Sequence, residues 1–293
     1  MFPDVDTRDA TAVAARIREI SAALFPGTSP EFFDRVFALV QDMFTGNFPG
    51  FAPIDMDYHD YQHTLQATLC MADIMAGYHR HGEGIKLTHR HFELGLAAAL
   101  LHDCGYLKTP ADGGGTGAKF TYTHVLRSCA VGASQLPALG ANLAELRTVI
   151  GAIRCTGPDA DITKIYFEGE IEQLLGACVA TADYLGQLAA ADYPQELEIL
   201  FREFSESDDY IHVPMADRLF KSPEDLISKT PGFWQHVVLP KLNHEFYGVY
   251  RFLAEPYPDG PNRYLEAIER NIKTISGLPT SPPASAAPPA SSG

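Results

Sequence analysis

Residues 94–106 read LGLAAALLHDCGY, an apolar run that ends in the adjacent polar pair His102 and Asp103. The run is almost entirely leucine and alanine, which favours a helix, and Gly105 is predicted to end it. Such a helix should be buried, and burying an imidazole and a carboxylate without partners costs free energy. A divalent metal ion would satisfy both groups, whereas the alternative is a helix cap or a surface pair. We therefore expect part of a metal site at the end of a central helix.

Composition narrows the class of protein. The chain has 293 residues, 46% hydrophobic and 20% charged, as in globular proteins. Its formal net charge of -15 argues against a nucleic acid polymer as partner, although not against a small phosphorylated substrate. Five dispersed cysteines without a CxxC pair suit reduced thiols. With no signal-like N-terminus and no long apolar run, we expect a cytoplasmic protein with no membrane partner. The sequence leaves the oligomeric state open.

Hydrophobic periodicity and Pro/Gly breaks predict an all-α fold. Helices are expected at 7–25, 32–44, 60–78, 88–102, 123–135, 142–154, 168–188, 194–204, 223–229, 231–253 with a break near Pro240, and 261–275. Residues 164–167 are the only strand candidate. We divide the chain into N-terminal helices (1–45) that pack on the core, a catalytic body (46–276) and a disordered Pro/Ser/Ala-rich tail (277–293). The Gly-rich loop 112–117 is placed to act as a lid.

Two further segments carry polar residues that suit a metal site. In YHDYQHT, residues 58–64, His59 and His63 are four apart and so share one face of a helix. In CVATADYLGQLA, residues 178–189, Asp183 is the one acidic residue of an apolar helix and needs a partner, unless it faces solvent or Arg154. Three helices thus offer an N/O ligand set for one or two divalent ions (Zn, Mg, Mn or Fe): His63, His102, Asp103 and Asp183.

The order His, His-Asp, Asp in a helical chain resembles the HD-domain superfamily of metal-dependent phosphohydrolases. LLHDCGY is close to the central motif of that superfamily, and YHDYQHT resembles the YHNxxH motif of its cyclic-nucleotide phosphodiesterases. PGFWQHVVLP, residues 231–240, resembles the later segment in which those enzymes carry a Gly-Phe pair. The resemblance spans roughly residues 58–242 and implies a single phosphodiesterase-like HD domain.

Carried over residue by residue, the resemblance assigns roles to these side chains. It implies that the first metal is held by His63, His102, Asp103 and Asp183. Asp103 would also bridge to a second metal, and His59 would protonate the leaving oxygen. Phe233 would pack on the base of a nucleotide, with a place in the core as the alternative.

Three charged or titratable residues near the Gly-rich loop are weaker candidates. In several HD proteins a histidine in the region of His124 reaches a second metal or the substrate phosphate; the alternative is a surface residue at a helix start. Lys119 and Arg127 flank it and are candidates for contacting phosphate, although a solvated charge is the commoner fate of either.

The chain departs from the phosphodiesterase pattern at three positions. Asp60 stands where the motif has asparagine, and Tyr106, a candidate substrate contact, stands where HDxxH has its second histidine. Thr230 occupies the place of the glutamine that holds the purine edge. Recognition of a cyclic nucleotide is therefore an open question.

The expected function is hydrolysis of a small phosphorylated substrate, a phosphodiester above all, by a metal-activated water. One alternative is a nucleotide or other phosphomonoester hydrolase with the same metals. Another is an HD-fold di-iron oxygenase, but those use extra histidines, which the stretch Arg154-Cys155-Thr156 lacks. A non-catalytic regulatory module that binds a metal and a ligand is the fourth. Chelator-sensitive cleavage of a chromogenic diester would separate an enzyme from such a module.

Overall fold

Helices account for all the regular secondary structure in the computed structural model, which describes residues 4–157 and 160–277. Ten α-helices occur in this part of the chain: α1 (Ala10–Leu24), α2 (Glu31–Thr45), α3 (Tyr61–His81), α4 (His89–Leu101), α5 (His124–Gln135), α6 (Leu143–Ile153), α7 (Glu170–Leu188), α8 (Tyr193–Tyr210), α9 (Pro223–Phe233) and α10 (Arg263–Ile275). The predicted all-α fold is confirmed. The strand candidate 164–167 is wrong, because Ile162–Lys164 form a 3-10 turn and residues 165–167 are irregular, with no neighbouring strand among the described residues.

Side-chain caps explain where the helices that carry the site begin. The Asp60 carboxylate accepts a hydrogen bond of 2.9 Å from the backbone N–H of His63, so the residue that departs from the phosphodiesterase motif caps α3. Thr88 and His91 form a capping box at the start of α4. The caps fix the starts of α3 and α4, and through α3 the position of His63.

The core is centred on α4, where every residue from Phe92 to Leu101 is buried. Helices α3 and α7 pack against α4 and against each other. At Gly186 on α7 a Cβ atom would lie 2.9 Å from the backbone N of Ala67 on α3, so glycine permits this close approach. Asp183 lies one turn before Gly186 and is thereby brought next to the start of α3.

The two N-terminal helices share this core. Helix α1 packs on α3, and α2 packs on α4. The buried Glu93 connects α4 to α2. Its Oε1 accepts hydrogen bonds of 2.9 Å and 3.1 Å from the backbone N–H groups of Phe32 and Phe33 at the start of α2. A tertiary contact thus satisfies two N–H groups that have no partner within the helix.

The proline-rich segment after α8 differs from prediction. Helix α9 runs through Pro231 instead of starting there, and π-helical turns follow at Trp234–Val238 and Lys241–Glu245. Proline has no N–H and its ring crowds the preceding turn, which favours a widened turn in place of a clean break. The predicted break near Pro240 is therefore a stretch of π-helix.

Two further expectations from the sequence concern the C-terminal tail and membrane-spanning helices. Apart from Gly277, the predicted tail lies outside the described residues. Over the described ranges no single helix is long and apolar enough to cross a membrane; α7 and α8, bent by 111° from one another, meet that length and composition test only as a pair.

Glu93→Ala should lower the free energy of unfolding by ~2 kcal/mol, because it leaves the buried N–H groups of Phe32 and Phe33 without an acceptor. Glu31→Ala is the matched control, since the Glu31 side chain is 76% exposed and should change stability by less than about 0.5 kcal/mol. Urea unfolding of both variants measures the difference. Equal effects would show that Glu93 does not hold α2 in place.

Candidate metal centre

The His-Asp pair lies where α4 ends. Leu101 is the last helical residue, His102 is the cap, and Cys104–Tyr106 form a short 3-10 turn. The prediction that Gly105 ends the helix is wrong, because α4 ends at Leu101 and Gly105 lies within the 3-10 turn, without a left-handed conformation. Gly105 is needed for packing instead, since a Cβ atom there would lie 1.9 Å from the carbonyl oxygen of His124. The turn thereby brings the start of α5 against the pair.

Two imidazoles and two carboxylates meet at this turn. His63 Nε2 lies 3.1 Å from Asp103 Oδ2 and 3.4 Å from Asp183 Oδ1. His102 Nε2 lies 3.3 Å and 3.5 Å from the same two oxygens. The four residues predicted to hold a metal are therefore brought together from α3, α4 and α7 and the turn after α4.

The donor set fits a divalent cation. His102 Nδ1 is 2.7 Å from the carbonyl oxygen of Ala99, so Nδ1 carries a hydrogen and Nε2 is left facing the carboxylates. That Nε2 and Asp103 Oδ2 are both buried without a hydrogen-bond partner among the described residues. Buried polar atoms that approach without a shared hydrogen bond are costly unless a cation satisfies both. His63, His102 and Asp103 offer ligand atoms close enough together to share one ion.

In the metal-free protein, protons substitute for the cation. Burial alone would lower the pKa of His63, but its contacts with Asp103 and Asp183 outweigh that effect and raise the pKa to about 9. The pKa of His102 is raised for the same reasons, against the same opposing effect of burial. Burial would raise the pKa of both carboxyls, yet the two imidazoles hold them below their ordinary range. The cluster is therefore held together by charge whether a proton or a metal supplies it.

His124 lies on the other side of Asp103, at the first turn of α5. Its Nε2 is 3.7 Å from Asp103 Oδ1, and its Nδ1 donates to the carbonyl oxygen of Thr121 at 2.7 Å. Burial lowers the pKa of His124, which favours the neutral ring. With Nδ1 protonated, a lone pair on Nε2 faces the second Asp103 oxygen, an arrangement that suits a bridging carboxylate between two ions.

His59 is paired with a carboxylate that the sequence did not single out. Its Nδ1 lies 2.6 Å from Oε2 of the buried Glu203 on α8. The other Glu203 oxygen accepts hydrogen bonds from the backbone N–H groups of Asp57 and Tyr58, at 3.1 Å and 2.8 Å. Glu203 thus fixes the orientation of the ring through Nδ1, which leaves Nε2 for another partner.

Tyr106, which replaces the second histidine of the HDxxH pattern, separates two histidines of the site. Its ring stacks on His59 with centroids 4.8 Å apart and on His124 with centroids 4.4 Å apart. The Tyr106 side chain is buried. The tyrosine therefore sets the spacing between the candidate proton donor and the candidate second-metal ligand.

Lys119 and Arg127 are bonded to neighbouring loops. The Lys119 ammonium donates to the carbonyl oxygens of Gly113 and Gly114. The Arg127 guanidinium donates to the carbonyl oxygens of Gly105 and Leu107. No residue of the Gly-rich loop 112–117 is among the described residues that line the cavity at the metal centre. In this structure the loop is held by the hydrogen bonds from Lys119 and does not cover that cavity.

The site opens into a cavity of about 190 Å³. Its walls include His59, Asp103 and Asp183 together with the candidate Phe233 and with Thr230, which stands in the place of the phosphodiesterase glutamine. Phe233 is 38% exposed, so it lies at the cavity and not in the core. The Thr230 hydroxyl donates to the carbonyl oxygen of Leu226 at 2.9 Å.

Three supporting residues were missed at the level of sequence. Glu203 lies among the buried, mostly apolar positions of α8, and an acidic residue at such a position was a usable signal.

Gln187, one turn after Asp183, donates to the carbonyl oxygen of Asp183 and accepts from the Tyr58 hydroxyl. Ser128, one turn after His124, accepts from the backbone N–H of Gly105 and donates to the carbonyl oxygen of His102. The last two contacts join distant segments and left no pattern to read.

Comparison with known proteins adds no assignment: the chain matches no protein-family model, and no curated protein gives a significant sequence match.

The metal-free protein should lose stability as pH rises from 6 to 9. The folded-state pKa of His63, about 9, lies above its ordinary value of 6.5, so its contribution is complete below about pH 6.5 and is lost as pH rises through 9. We expect a loss of ~1 to 3 kcal/mol in urea unfolding with chelator present. Added zinc should remove most of that loss, because metal replaces the proton. A pH-independent unfolding free energy, or one that zinc leaves unchanged, would contradict this account of the cluster.

Proposed function

We propose that this protein is a metal-dependent phosphoester hydrolase that acts on phosphodiesters. The observation that carries the proposal is that one cavity is lined both by residues of a buried His/Asp cluster suited to a divalent ion and by His59, which is paired with Glu203. The resemblance of the sequence motifs to the HD-domain superfamily supports the same reaction class.

The ligands and the proton donor have separate tasks. His63, His102, Asp103 and Asp183 would hold one ion, and Asp103 with His124 would share a second. An ion bound there supplies Lewis-acid activation of a phosphoryl oxygen and lowers the pKa of a bound water. His59 keeps Nδ1–H on Glu203 and presents Nε2 to the cavity, where a proton on that atom can pass to the leaving oxygen.

The charge around the cavity favours a diester over a monoester. Asp103, Asp183 and Glu203 place three carboxylates near the reacting position. Among the described lining residues the single lysine or arginine is Lys229, which is already bonded to Asp225 at 2.8 Å. Beyond the bound ions, the described lining residues therefore offer no unpaired lysine or arginine for the second charge of a phosphomonoester dianion, whereas a diester monoanion needs none. The sequence alternative of an oxygenase has less support, since Cys155 stands where extra histidine ligands are expected.

His59→Asn should slow hydrolysis in a way that depends on the leaving group. Methyl phenyl phosphate leaves a basic oxygen and needs the proton, so kcat/KM should fall by ~100-fold or more. Methyl p-nitrophenyl phosphate has a far better leaving group and should lose much less. Steady-state kinetics on both substrates, at fixed metal concentration, measure the ratio.

His244→Asn, which changes an exposed histidine outside the cavity, is the control and should leave both rates unaltered. Metal content should remain that of the native protein in His59→Asn and fall to background in His102→Ala. Equal losses on the two substrates would remove His59 as proton donor. Loss of metal in His59→Asn would make it a ligand instead.

A further inference from the structure

The cavity wall beyond the metal ligands and His59 is largely apolar. Phe204 and Phe220 stack with centroids 5.6 Å apart, and Phe233 packs against Tyr184 at 6.1 Å. The other large apolar side chains of this wall are Leu188, Leu200, Leu219 and Leu226. These side chains come from α7, α8, α9 and the segment that joins α8 to α9, so several distant parts of the chain build one apolar lining.

Four polar side chains of this lining already have hydrogen-bond partners within the protein. Thr121 donates to the carbonyl oxygen of Ala118 at 2.7 Å, and Thr230 donates to a carbonyl within α9. Gln187 is bonded to Asp183 and Tyr58, and the Lys229 ammonium to Asp225 and to the carbonyl oxygen of Leu219. A ligand group with many hydrogen-bonding atoms, such as a purine, would exchange its bonds to water for few bonds to protein.

The cavity mouth carries exposed apolar surface. Leu219 is 71% exposed and Phe233 is 38% exposed, and both line the cavity. Large apolar side chains beside a pocket are typical of a surface that an apolar ligand covers. The wall and the rim therefore point to the same chemical character of ligand.

We propose that the substrate carries an apolar ester substituent, a short alkyl chain or a single aromatic ring, that lies in this cavity while its phosphodiester group lies at the metal centre. This inference rests on the proposed hydrolase function and names its substrate class. The cavity of about 190 Å³, part of which lies at the metal centre, is somewhat larger than the ~150 Å³ apolar cavity known to hold benzene, so the space beyond the metal centre suits a substituent of up to about six carbon atoms. A nucleoside is both larger and more polar.

Binding of methylphosphonate analogues of a diester tests the proposal. Because their P–O–C bond can still be cleaved, recovery of the intact ester after each titration shows that binding was measured without turnover. Methyl, butyl, hexyl and benzyl esters of methylphosphonic acid carry the same single negative charge, and the adenosine 5′ ester provides the nucleoside comparison. We expect calorimetry on the zinc-loaded full chain to show affinity rising ~3-fold per added methylene up to about six carbons. The adenosine ester should bind more weakly than the hexyl ester.

A pair of leucine variants checks that the effect belongs to this cavity. Leu219→Asn should reduce the preference for the hexyl over the methyl ester by about tenfold, because it places an amide at the apolar mouth. Leu126→Asn is the matched control, since Leu126 is 70% exposed on α5, does not line the cavity and should leave the preference unchanged. Phe233→Asn, also at a partly exposed position, should repeat the effect of Leu219→Asn.

The outcomes separate this inference from the function on which it rests. Affinities that do not depend on chain length, or that favour the adenosine ester, in a protein that cleaves diesters would overturn the apolar substituent and leave the hydrolase standing. Length-dependent binding that Leu219→Asn reduces would support it. If such binding occurs in a protein that cleaves no phosphoester, the cavity assignment holds and the proposed reaction fails. A preference that Leu126→Asn alters as strongly as Leu219→Asn would place the apolar site elsewhere.

Discussion

The structure depends on a cluster of opposite charges buried at the end of α4, the helix on which the core is centred. His63 and His102 face Asp103 and Asp183 at 3.1 to 3.5 Å, and burial of these groups costs free energy unless a cation or a proton lies between them. Helix α4 brings one imidazole into the core, α3 brings the other, and α7 brings a carboxylate. The packing of α3, α4 and α7 against one another therefore also assembles the candidate metal site.

The residues around the cluster that allow close packing also position the groups of the candidate site. Gly186 permits α7 to approach α3, and Gly105 permits α5 to approach the His-Asp turn. Because both glycines sit where helices are closest, they set how far His124 and Asp183 lie from Asp103. Tyr106 then keeps His59 and His124 on opposite faces of one ring. These contacts support the proposed site, in which Asp103 and His124 would share a second ion and His59 would be a separate proton donor.

Much of this could be predicted from the sequence, for a physical reason. A histidine or aspartate inside an apolar run must have a partner, so His102, Asp103 and Asp183 stood out, and the helical periodicity located most helices. Glu203 could have been noticed as an acidic residue at a buried position of α8, but its pairing with His59 could not be predicted, because the contact joins residues 144 apart and depends on how α8 packs. Lys119 and Arg127 were predicted as phosphate contacts from their charge alone. In the structure both donate to loop carbonyl oxygens, and the sequence contains no pattern that predicts those contacts. The continuation of α9 through Pro231 and the π-helical turns that follow it were not predicted, because a proline in the sequence indicates a break and does not say whether the helix widens instead.

The measurement that tests the central claim most directly is an anomalous-difference map from crystals of the full chain loaded with zinc or manganese. The account predicts a peak about 2.0 to 2.3 Å from the nitrogens of His63 and His102 and from oxygens of Asp103 and Asp183. A second peak between Asp103 and His124 would extend it. A protein that binds the metal only at other histidines, or shows no peak in this cluster, would contradict it.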